Sequence, residues 1–135
     1  MKAILMSIRP QHLVNILNGD KTIELRKRFP KDYRGWIYLY CTKAKPYLIR
    51  FFGRYFITDY LSPEVKDDGL VKNGLVVARV LVDNVETISL FHIFDKPKEL
   101  GEFYKIKYRT EFEERYIPIK QAPQSWQYIY IEEDK

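Results

Sequence analysis

Cysteine is nearly absent: Cys41 is the one copy in 135 residues, which excludes an internal disulfide and any thiolate cluster. Histidine is almost as scarce. His12 and His92 stand far apart with no cysteine at ligand spacing, so nothing supports a zinc site and no metal or cofactor is expected. Long apolar runs are missing too. No stretch reaches the roughly 20 residues that cross a bilayer as a helix, and the apolar opening Met1 to Ile8 is too short for a secretory signal before it meets Arg9-Pro10. There is no internal repeat and no low-complexity segment. A reducing cytoplasm is the expected setting.

What is present points to strands. The chain length fits one domain spanning residues 1–135, and aromatic residues make up 16% of it, with eleven Tyr and eight Phe; rings of this kind pack well across strands. Charge is unevenly distributed. Residues 1–54 hold twelve Lys and Arg against three acidic residues, a balance of +9, while residues 55–135 hold eleven against fifteen, a balance of −4. A basic half favours a polyanionic partner, nucleic acid being the commonest, although a merely solvated basic face is the plain alternative.

In order, Ala3 to Ile8 reads as a central strand because it is nearly all apolar. Pro10 suits the first position of a helix that packs Leu13, Val14, Ile16 and Leu17, and Gly19 ends it in a left-handed conformation. The helix's first turn could offer free amides to an anion. A charged strand follows, in which Thr22, Glu24, Arg26 and Arg28 share one face and are expected to face solvent, with Ile23 and Leu25 packing on the other. Phe29 to Gly35 reads as a loop and Trp36 to Thr42 as a strand. Tyr47 to Phe52 and Tyr55 to Tyr60 form a candidate hairpin over Gly53-Arg54, within a variable insertion around 43–73. Leu75 to Val85 is expected as a long central strand, Ile88 to Phe94 as a further one, and Pro97 as the start of a helical turn over Lys96 to Tyr104. Trp126 to Ile131 alternates as the last strand.

The spacing Gly19-x-Lys21-x-x-Glu24-x-Arg26 resembles the signature of ASCH domains in the PUA-like superfamily. Its company is similar as well: Ser7-Ile8 before Arg9-Pro10, a short helix into Asn18-Gly19, and Ala122-Pro123-Gln124-Ser125-Trp126 before the last strand. The resemblance covers nearly the whole chain. It implies a mainly β, α+β fold, a small PUA-like β-barrel with one principal helix and minor helical turns. It also implies a cleft between barrel and helix lined by Lys21, Glu24 and Arg26 with Thr22 beside them, in a family regarded as RNA-binding.

On that reading RNA or a nucleotide-like ligand meets Lys21, Glu24, Arg26, Arg28, Tyr33, Ser7, Gln124, Ser125 and Trp126. Tyr33 and Trp36, interleaved with basic residues, provide rings for stacking, Tyr33 being the one expected to be exposed, while Trp126 serves equally as core. Some family members are implicated in hydrolysing small nucleoside amides or cleaving RNA, so the alternative is a small hydrolase with Lys21, Thr22 and Glu24 as catalytic groups. Members resembling the acetylcytidine amidohydrolases carry Thr where this chain has Glu24. A Lys activates a hydroxyl only when burial or neighbouring cations depress its pKa, and Glu24 opposes that, so binding ranks above hydrolysis. Lys21, Glu24 and Arg26 could also be no more than an ion network on a strand surface. A protein-interaction module remains a third reading, and no membrane partner is expected.

Overall fold

The computed structural model describes residues 1–62, 71–92, 98–117, 119 and 121–132. Among these residues eight strands and one helix follow one another as β1 (Lys2–Ile8), α1 (Pro10–Leu17), β2 (Ile23–Arg26), β3 (Trp36–Cys41), β4 (Tyr47–Phe51), β5 (Arg54–Thr58), β6 (Val76–His92), β7 (Lys98–Ile117) and β8 (Trp126–Tyr130). Six strands form one sheet in the order β2-β7-β6-β3-β1-β8, and β4 with β5 forms a separate hairpin. The pair β1–β3 is parallel, and the other neighbours in the large sheet are antiparallel. The ladder is open. Its edges are β2 and β8, and among the described residues no backbone pairing joins them into the expected barrel.

β1 lacks alternation because both its faces are covered. Ile4, Met6 and Ile8 enter the main core with Leu13, Val14, Ile16 and Leu17 of α1, while Ala3 and Leu5 enter a second cluster with Tyr38, Tyr40 and Val76. The helix forms as its spacing predicts, with Pro10 in the first turn and those apolar residues on its buried stripe. Leu13 is fully buried, and truncating such a leucine to alanine costs about 2 to 5 kcal/mol. Gly19 has φ +81° and nothing within 4 Å of an added Cβ, so glycine is required there by backbone conformation alone. Just before it, the Asn18 side chain clamps the hairpin. Its amide nitrogen donates to the Tyr55 carbonyl at 2.8 Å and its oxygen accepts from the Tyr55 amide at 3.0 Å, imitating a strand neighbour. Leu48 and Tyr55 are thereby held in the main core.

Two expectations for the second half are corrected. Ile88 to His92 is not a separate strand but the continuation of β6, and from Lys98 the expected helical turn is instead strand β7; Phe94 and Pro97 lie outside the described residues. Pairing of β7 with both β6 and β2 overrides the helix-compatible composition of this segment. The chain has no described helix long and apolar enough to cross a membrane.

Candidate functional site

The register between β2 and β7 decides which way the charged strand faces. Glu24 lies opposite Ile106, and Leu25 opposite Lys105. Ile106 and Tyr108, two residues on along β7, belong to the main core, so Glu24 opposite Ile106 turns inward with them and Leu25 turns out. Glu24 is 8% exposed and Leu25 42%, the reverse of the orientation that the alternating charges led us to expect.

A buried carboxylate must be compensated, and Glu24 is held from two sides. Lys21 Nζ lies 3.1 Å from Oε1, and Arg26 Nη2 lies 3.5 Å from Oε2. Arg26 does more. It donates from Nη2 to the Ser7 carbonyl at 2.9 Å and from Nη1 to Ser125 Oγ at 3.1 Å, reaching from the β2 edge to β1 and to the segment entering β8. Trp126 repeats this link in the other direction, donating its indole N–H to the Arg28 carbonyl at 2.7 Å. Ser7 completes the junction: its hydroxyl donates to the Pro123 carbonyl at 2.6 Å and its amide to the Ser125 carbonyl at 2.9 Å. Side chains thus bridge the two edges that the backbone ladder leaves apart.

Two clefts open along this seam. One of about 440 Å³ has Glu24 and Arg26 on its wall, with Arg9 and His12 of the helix entrance, Thr42 and Gln124 around them. The other, of about 580 Å³, lies between Lys27, Arg28 and the Gln124–Trp126 segment. Both include Lys27 and Gln124. Close enough to Glu24 and Arg26 to feel their charges, Tyr108 Oη is buried without a hydrogen-bond partner, as is Oγ1 of the cleft-lining Thr42. Burial pushes the Tyr108 phenol well above its usual 10, the Glu24 charge raises it further, and Arg26 pulls it partly back.

The sequence-predicted residues therefore divide. Lys21, Glu24, Arg26, Ser7 and Ser125 form one bonded unit, and Arg28, Gln124 and Trp126 line the adjoining cleft. Thr22 is exposed, and the Lys21 ammonium beside it is directed at Glu24 instead. Tyr33 is not the exposed ring expected. It packs edge-on against Phe29, lies 6.3 Å from Tyr128 and donates its hydroxyl to the Trp36 carbonyl at 2.6 Å; burial pushes its pKa to about 12. Trp36 is half-buried under the Arg79 guanidinium, 3.9 Å from its ring centre. Cys41 is buried core, its thiol pushed to about 12 by that burial. Sequence reasoning missed Arg9, His12, Lys27 and Thr42. The first two sit in or beside the helix's first turn, already noted as an anion site, and no local signal marked Thr42. Among the described residues no group of three or more His, Cys, Asp or Glu could hold a metal.

No protein-family model matches the chain, and no curated protein matches it. Among solved structures, the crystal structure of a serine-to-alanine variant of ZmASCH from Zymomonas mobilis is similar, with a TM-score of 0.55 over 95% of this chain and 88% of that one, at 14% identity. This likeness shows that the chain has an ASCH-type fold.

Proposed function

We propose that the chain is a single RNA-binding domain, working in a reducing cytoplasm, that seats a nucleotide in the joined clefts between β2, the helix entrance and the Gln124–Trp126 segment. The observation that carries this reading is the charge arrangement at the seam. Glu24 is neutralised by Lys21 and Arg26, and it is the one acidic residue lining either cleft among the described residues, so Arg9, Lys27 and Arg28 leave the rim positive. Phosphates suit such a rim. Gln124, with an amide donor and acceptor in both clefts, suits a base edge.

Hydrolysis ranks lower for a geometric reason. A Lys–Thr nucleophile needs the amine at the hydroxyl, and the Lys21 ammonium is spent on Glu24 at 3.1 Å. Fluorescence anisotropy with single-stranded RNA at several salt concentrations tests the binding reading. Affinity should fall with salt at about 0.7 log units per log unit for each phosphate neutralised, and Lys27→Glu with Arg28→Glu should flatten that slope. Absent binding at low salt, or turnover of an acylated nucleoside with no salt dependence, would overturn it.

A further inference from the structure

The β4–β5 hairpin has two unlike faces. Leu48 and Tyr55 are buried against the core, whereas on the opposite face Ile49 pairs with Phe56 and Phe51 with Arg54. Phe51 is 50% exposed, Phe56 44%, and Phe52 at the turn 91%. Phe51 and Phe52 meet edge to face with ring centres 4.3 Å apart.

The turn itself is unusual. Phe52 and Gly53 both have positive φ, 51° and 76°, as a two-residue type I′ turn requires, and asparagine before glycine is the relaxed choice there. A bulky residue in that conformation is an outlier. Phe52 therefore combines backbone strain with a ring left in water, and folding explains neither. Charge indicates what the rings meet. Between Asp32 and Asp59 the chain has no acidic residue, and on this face Arg54 pairs with Phe51 while Lys45 Nζ lies 5.7 Å from the ring centre of Tyr47, which shares the face two residues before Ile49. An aromatic face in an acid-free, cationic segment complements a polyanion that has flat apolar groups to stack.

We propose that this face is a second contact surface for single-stranded RNA, on which unpaired bases stack against Phe51, Phe52 and Phe56 while Arg54 meets the backbone phosphate. The proposal rests on the RNA reading above and extends it from the nucleotide in the cleft to the strand that continues beyond it. Stacking on such rings tolerates any base and contributes about 1 to 3 kcal/mol each, that is, roughly five- to 150-fold in affinity per base.

The test is binding of a 2-aminopurine-labelled oligouridine and of uridine monophosphate to the parent, to Phe51→Ala/Phe56→Ala, to Phe52→Asn, to Arg54→Glu and to the Lys27→Glu/Arg28→Glu cleft variant. Expected results are quenching of 2-aminopurine on the parent and at least about fivefold weaker oligonucleotide binding by each hairpin variant, with unchanged affinity for the mononucleotide. Phe52→Asn should melt at or above the parent temperature, so its lost binding cannot be ascribed to unfolding. Hairpin variants that bind the oligonucleotide like the parent overturn the platform and leave the cleft standing. Loss only in the hairpin variants keeps the platform and overturns the cleft. A parent that binds no oligonucleotide overturns both, and if it instead binds phosphatidylserine vesicles through Phe52, the face is a lipid contact.

Discussion

Removing the Glu24 charge would leave Arg26 and Lys21 beside the core without their counter-ion. Breaking a fully buried pair costs about 3 to 5 kcal/mol; the side chains of Lys21 and Arg26 are 29% and 19% exposed, so solvent screening reduces the expected cost of Glu24→Gln to about 1 to 3 kcal/mol. Leu25→Ala on the outward face should stay within about 0.5 kcal/mol. Paired urea denaturation checks this order, which is the inverse of what the charge alternation alone would give. The motif's members were legible in the sequence, but the direction they face was not: it is set by the pairing of Glu24 with Ile106, more than eighty residues away. Tyr108 offers a second test. Its phenol has no partner and its folded pKa lies above the ordinary 10, so its titration leaves stability untouched below about pH 10 and lowers it as pH rises from there through the folded value. Tyr108→Phe should leave stability at pH 7 unchanged or raise it by up to about 1 kcal/mol, and should soften the fall in melting temperature above pH 10.

Among the elements, α1 was the most readable, because Pro10, the apolar stripe and Gly19 all agree locally. Gly19→Val should therefore lower stability by about 1 kcal/mol or more through backbone strain, with nothing nearby to add a clash. Asn18 is a subtler hinge between helix and hairpin. Asn18→Ala removes both of its hydrogen bonds to the Tyr55 backbone, a loss of about 1 to 3 kcal/mol, and hydrogen exchange should report it first as faster exchange at Tyr55. The hairpin was legible from its flanking apolar runs, although its turn is Phe52-Gly53 and not the expected Gly53-Arg54, but β7 was not. Glu, Lys and Gly between Lys98 and Lys107 carry weak local preferences, and only partners on both sides make them a strand.

At the scale of the molecule, the +9 and −4 halves do not fold into separate units: β2 from the basic half pairs with β7 from the acidic half. The salt-dependent RNA binding expected above should thus resist separation from the fold by truncation. The composition made the mainly β class readable, and the ordered motifs made the ASCH-type fold recognisable. What could not be read was how the sheet's two edges meet, since that depends on Arg26 and Trp126 bridging separations of 99 and 98 residues. The same seam has a consequence for synthesis. Ser7, Arg26 and Arg28 emerge from the ribosome early, yet their partners Pro123, Ser125 and Trp126 come about a hundred residues later. At roughly 5 to 20 residues per second, the nascent chain spends seconds with its basic half made and its clefts unbuilt, so ribosome-bound chains arrested before residue 123 should show no selective nucleotide binding, and the site should appear only as the last strand docks.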